Sequence, residues 1–240
     1  MSVDAHVRVR IQDTRLYVLR TNEVRKLFFV NWFRVHGRSF PWRHPDTTPF
    51  QLLVTEMLLR QTRAEGVAKL WQSFVSTYPT SRAIVSASNE ELASRLIILG
   101  FGKLKVRSLK AASAFLIEHH TGHVPSTSGE LIRIPHVGKY TANAILCFAF
   151  KQRVAIVDNN VLRFVSRYFG FYSGSDIRRA PKVWELVEKL LPRDARKAPE
   201  HNYGFLDFTA QICKPIGPRC DRCSIKTDCH YYAILTKSSG

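Results

Sequence analysis

Apolar residues along this chain recur at the spacing of a helix rather than a strand. Val24, Leu27, Phe28 and Trp32 fall three or four apart, so a helix is expected from residue 21. Phe40-Pro41-Trp42-Arg43 breaks it. Thr48, Pro49 and Gln51 then form a helix start, with a threonine cap, a proline in the first turn and a glutamine completing a capping box. That helix is expected to run to residue 60, and Val67, Leu70, Trp71 and Phe74 mark another over 64–77. Ser88 with Glu91, and Thr127 with Glu130, have the spacing of two further capping boxes, opening helices to 99 and over 128–134. Gly100-Phe101-Gly102 ends the first of these, and a basic helix is expected over 103–120. Further helices are expected over 139–150, 159–169, 181–191 and 200–212. Residues 154–157 are apolar but too few to imply a sheet, and no stretch alternates as a strand does. The expected fold class is all-α. Residues 1–15, polar and basic without a period, read as a partly ordered tail.

Charge narrows the function. The 240 residues carry 36 Lys and Arg against 19 Asp and Glu, a formal +17. Such an excess favours a polyanionic partner, with strong salt dependence if that partner is nucleic acid. A membrane is the competing partner, but no apolar run is long enough to span one and the basic residues are spread along the chain.

Four of the five cysteines fall in Cys213-x6-Cys220-x2-Cys223-x5-Cys229. A disulfide framework suits a small secreted domain, whereas this chain is long, basic and shows no secretory signal, so a reducing compartment is expected. The spacing is not that of a zinc ribbon, which pairs two short knuckles. One CxxC knuckle flanked by longer arms suits a centre larger than one ion, a [4Fe-4S] cluster, with a four-cysteine zinc site as the other reading. Cys147, inside Ala144-Ile145-Leu146-Cys147-Phe148, reads as core.

Leu131-Ile132-Arg133-Ile134-Pro135-His136-Val137-Gly138-Lys139-Tyr140-Thr141-Ala142 reads as an apolar helix end, a tight turn and a helix start rich in small residues. Free N–H groups and the helix dipole at such a start favour a phosphate. A plain turn between packed helices is the other reading. Glu56 has Leu52, Leu53, Leu59 and Arg60 as helical neighbours, an apolar setting that helps a carboxyl keep a proton, unless it lies on a wet helix face. Asp158, after the apolar run, reads as an N-cap, and a capped carboxylate is also a rigid one.

The cysteine loop, the helix–turn–helix start, Thr55-Glu56-Met57-Leu58-Leu59-Arg60-Gln61-Thr62, Val157-Asp158-Asn159-Asn160-Val161, Phe40-Pro41-Trp42-Arg43 and Leu99-Gly100-Phe101-Gly102 together resemble the endonuclease III superfamily of helix-hairpin-helix DNA glycosylases. The resemblance covers 25–232. It implies a six-helix barrel domain over 47–156, bearing the hairpin, and an iron–sulfur domain from 1–46 with 157–240, with the active-site groove between them. It implies that the [4Fe-4S] cluster on Cys213, Cys220, Cys223 and Cys229 is structural and presents Lys214, Arg219, Arg222 and Lys226 to a phosphate backbone. It assigns Glu56 and Asp158 to catalysis and places Arg60, Gln61, His136, Val137, Gly138, Lys139 and Thr141 at double-stranded DNA. His136 stands where the family pattern has glycine, a poor exchange if that position needs φ > 0. The bifunctional branch has a lysine where this chain has Tyr140, so an intact strand with an abasic site is expected, and Tyr140 is assigned to the catalytic site, with a core aromatic as the other reading. Among monofunctional branches the motifs look most like the Mig-type thymine-DNA mismatch glycosylases, which remove thymine or uracil opposite guanine. An adenine glycosylase lacking its usual extra C-terminal domain is the second enzyme reading, and a lesion-binding iron–sulfur protein without chemistry is the third. The chain is expected to act as a monomer in the cytoplasm, at the nucleoid if the source is prokaryotic.

Overall fold

The computed structural model describes residues 26–100, 102–170 and 181–237. The expected tail over 1–15, the expected helix start at residue 21 with Val24, and Phe101 lie outside them. Among the described residues the regular elements are all helical. No helix among them is long and apolar enough to cross a membrane. The chain divides into two compact units, Ser39–Gln152 and Met1–Arg38 with Arg153–Gly240.

The first unit holds α2 (Pro49–Leu59), α3 (Ala64–Thr77), α4 (Ser81–Ser86), α5 (Asn89–Leu96), α6 (Gly102–His120), α7 (Ser128–Arg133) and α8 (Lys139–Phe148). Helix α2 starts as expected: Thr48 Oγ1 accepts from Gln51 N at 3.2 Å, and Gln51 Oε1 accepts from Thr48 N at 2.9 Å. Every residue from Leu52 to Leu58 is buried, so α2 is the central rod of this unit, packed by α3, α6 and α8. The other two expected capping boxes are half-formed. Ser88 accepts from Glu91 N, but the Glu91 carboxylate takes the Tyr78 hydroxyl at 2.5 Å instead of the cap N–H. Glu130 likewise takes the Thr127 hydroxyl. Helix α4 was not expected. It is six residues long, capped by Thr80, and too short to show a period.

The second unit holds α1 (Phe28–His36), α9 (Asn159–Phe169), α10 (Pro181–Leu190), α11 (Ala198–Gln211) and α12 (His230–Lys237). Phe29, Phe164, Phe205 and Phe208 meet at its centre, with Phe29 stacked on Phe205 at 4.3 Å. Helices α1 and α11 approach so closely that a Cβ on Gly204 would lie 2.0 Å from Phe29 O. Gly204→Ala is therefore expected to cost about 3 kcal/mol, near the upper end for overpacking, read as a lower midpoint in urea with an unchanged m-value. Helix α12 was also not expected, and it buries none of its residues, so it left no apolar stripe to read.

Candidate functional site

Residues 153–157 form no strand. Ala155, Ile156 and Val157 are buried, and side chains satisfy part of the segment's main chain. Glu188 Oε2 accepts from Ala155 N at 2.8 Å, Asn202 Oδ1 accepts from Ile156 N at 3.2 Å, and Asn202 Nδ2 donates to Val154 O at 3.0 Å. This held segment delivers Asp158 to the start of α9. There Asp158 Oδ1 accepts from Val161 N at 2.7 Å and Oδ2 accepts from Asn160 Nδ2 at 2.8 Å. Desolvation raises the Asp158 carboxyl above its ordinary range, against the lowering effect of those hydrogen bonds and of the Arg163 guanidinium. It is a rigid carboxylate whose surroundings disfavour its charge.

In the other unit Glu56 is 7% exposed on α2, so it is not on a wet face. One turn on, α2 ends. Arg60 leaves it in an extended conformation, Gln61 is left-handed at φ 57°, and both side chains are exposed. Arg60 Nη1 donates to His136 O at 3.4 Å, which brings the end of α2 to the α7–α8 turn.

That turn is anchored by buried Ile134 and Val137 and exposes His136, Gly138 and Lys139. Gly138 caps α8 at φ −100°, and a Cβ there would meet nothing within 4 Å. Neither conformation nor packing inside the chain asks for glycine there. Thr141 is buried, and Tyr140, the second residue of α8, is half-buried. His136 does take the glycine-favouring conformation, at φ 66°. His136→Gly is expected to stabilise the protein by about 1 kcal/mol in chemical denaturation, by relieving the left-handed strain.

The four C-terminal cysteines line one small pocket together with Phe208, Ile212, Arg167 and Tyr231. No group of three or more His, Cys, Asp or Glu among the described residues is arranged to hold a single metal ion. Four thiols on one pocket are a donor set of the kind that holds an iron–sulfur cluster. Burial pushes the Cys223 thiol up to about 11 and also raises Cys220 and Cys229. Ligation by a metal centre would deprotonate them. Two arginines one turn apart on α9 hold this loop. Arg163 Nε donates to Cys213 O at 2.7 Å, and Arg167 Nη2 donates to Pro215 O at 3.0 Å. Sequence reasoning passed over both, although their spacing of four was a signal. It also passed over Lys105, buried in α6.

Each unit thus gathers part of the expected site. The end of α2 meets the hairpin in one, and in the other Asp158 caps α9, whose arginines reach the cysteine loop. Glu56 and Asp158 belong to different units.

Comparison with known proteins gives a consistent outcome. Residues 54–190 match the family model described as HhH-GPD superfamily base excision DNA repair protein. The thymine/uracil-DNA glycosylase of Methanothermobacter thermautotrophicus is 34% identical over 215 residues, which cover 88% of this chain and 96% of that protein. The adenine DNA glycosylase of Mycobacterium tuberculosis is 33% identical over 209 residues, covering 87% of this chain and 68% of that protein. A solved structure of a thermostable thymine-DNA glycosylase superposes with a TM-score of 0.83 at 32% identity, covering 92% of this chain and 98% of that one.

Proposed function

The chain belongs to the HhH-GPD superfamily of base excision DNA repair proteins, and from that premise we propose that it is a monofunctional DNA glycosylase for thymine or uracil opposite guanine. The substrate reading is supported by 34% identity over 96% of a thymine/uracil-DNA glycosylase and by the likeness to a thermostable thymine-DNA glycosylase. The single observation that carries the chemistry is Asp158. Two hydrogen bonds hold it in place while desolvation opposes its negative charge. A cation forming in front of it relieves that tension, and a sugar losing its base forms such a cation.

In this reading the basic surface and the α8 start hold the duplex by its backbone, with Gly138 letting a phosphate come close. The target nucleotide leaves the stack, most cheaply where it is mispaired. Arg60 fills the gap and Tyr140 contacts the extruded nucleotide. The N1–C1′ bond then breaks with its electron pair on the pyrimidine. Glu56 protonates or hydrogen-bonds the departing base. Asp158 faces the positive charge at C1′, and a water oxygen bonds C1′ as its proton passes to the Asp158 carboxylate. Tyr140 has no amine to form a Schiff base, so the strand stays whole.

Cys213, Cys220, Cys223 and Cys229 would hold a [4Fe-4S] cluster, which when bound serves as a structural cross-link of the C-terminal loop. Support comes from burial. After Thr209 no described residue up to 237 is buried, so this segment has little core of its own to offset the entropy of ordering it.

Single-turnover cleavage of duplexes with G·T, G·U, oxidised-guanine·A, G·A and G·C, each with and without alkali, tests the proposal. Cleavage at G·T and G·U only after alkali is the expected result. Cleavage of the adenine duplexes moves the protein to the adenine branch. Binding without cleavage removes the enzyme reading, and nicking without alkali removes the monofunctional one.

A further inference from the structure

Lys105 occupies a position where the core asks for an aliphatic residue. Along α6 it shares one buried face with Leu109, Ala112 and Leu116, and it is 4% exposed. Its Nζ donates to Leu58 O at 2.9 Å and to Arg60 O at 2.8 Å. These partners are carbonyls at the negative end of α2, not carboxylates. Burial lowers its proton affinity, and the Arg60 guanidinium adds to that. A buried cation held this way does less for stability than a well-packed aliphatic of its size. What it supplies is a fixed point. The two carbonyls straddle the last residue of α2, where Arg60 turns outward and Gln61 adopts a left-handed conformation without being glycine. The Thr62 hydroxyl adds a second donor to Arg60 O at 3.3 Å.

We propose that Lys105 is a positioning residue for base extrusion: its ammonium fixes the Arg60–Gln61 turn in the pose that lets Arg60 fill the emptied stack. The assignment rests on the function proposed above, in which Arg60 is that plug. Lys105 touches no reacting atom, so its loss slows extrusion and spares binding through the hairpin.

The same helix supplies the control. Lys110 ties Val85 O at 2.8 Å and Ala87 O, at the end of α4 and away from the turn. The test compares Lys105→Met and Lys110→Met in the full chain, using stopped-flow fluorescence of 2-aminopurine beside the thymine of a G·T duplex. Lys105→Met is expected to slow the fluorescence rise by on the order of 10-fold or more, as small misplacements of a positioned group do, with duplex Kd changed by less than about threefold. Lys110→Met is expected to keep the wild-type rise even where its melting temperature falls. A wild-type rise in Lys105→Met overturns the assignment, and so does equal slowing in both variants. If the wild type itself extrudes no base from any mismatch, the function reading is what fails. Hydrogen exchange of the free protein then decides the anchoring separately. Faster exchange confined to residues 59–62 in Lys105→Met supports the anchor, and unchanged exchange there overturns it.

Discussion

Asp158→Asn is expected to abolish most turnover while leaving the protein at least as stable at neutral pH. Removing one preorganised electrostatic partner of a transition state costs on the order of 100- to 1000-fold in rate, and single-turnover excision at saturating enzyme reads it. Stability moves the other way. Folding raises the Asp158 carboxyl above its ordinary 3.8 because desolvation outweighs its hydrogen bonds. The folded form therefore binds this proton more tightly than the unfolded form does. The stability it contributes is fully present below pH 3.8, is lost as pH rises through the raised folded value, and stays lost at neutrality. Asparagine has no charge to desolvate, and its side-chain oxygen still accepts from Val161 N as a cap. The Asn160 amide that now donates to Oδ2 has only to turn over. Catalysis needs the ionised form, so the wild-type rate is expected to fall as pH drops through the same raised value, above the range of an ordinary aspartate. A variant at full speed sinks the catalytic assignment. A variant that melts several degrees lower sinks the tension argument and returns Asp158 to a plain helix cap.

What was legible beforehand follows the burial pattern. Helix α9 was readable to the residue because Val161, Leu162, Val165 and Phe169 line one buried face and Asp158 announces its start. Helix α2 was readable by its Thr48–Pro49–Gln51 entry, but the burial of Glu56 was not. A helix buried on every side has no period from which to read faces. Lys105 was hidden for the opposite reason. It is one basic residue in a basic helix, and only its register with Leu109 and Leu116 sets it apart from solvated neighbours such as Lys103 and Arg107. The conformation of His136 was legible only as a conflict, a histidine where the motif wants glycine, and the turn resolves the conflict by keeping the left-handed backbone.

Loss of one cluster ligand should have the largest structural effect. The described residues 210–237 contain no buried side chain, and α12 ends the segment without one. Ordering a residue costs about 1–2 kcal/mol of backbone entropy, and here that cost falls on residues with little apolar burial. The segment's ties to the rest of the unit include the arginines of α9 on the carbonyls of Cys213 and Pro215, Arg167 stacked 4.8 Å from the Tyr231 ring, and partial packing of Ile212 and Ile225 on the aromatic centre. In the cluster reading proposed above, a metal centre shared by four cysteines would supply the remainder, because its binding free energy would then be folding free energy. Cys223→Ser is expected to remove the broad visible absorbance of the purified protein and to cost at least about 3 kcal/mol of stability. In hydrogen exchange the loss of protection should concentrate in residues 213–237, while α1 and α11, which carry the phenylalanine centre, keep most of theirs. The four basic residues of the loop then lose their fixed places, so duplex affinity should fall and depend less steeply on salt. Bound zinc in place of iron would replace the cluster with the simpler ion. Unchanged protection in Cys223→Ser would show that the segment is held by its arginines and its modest packing alone.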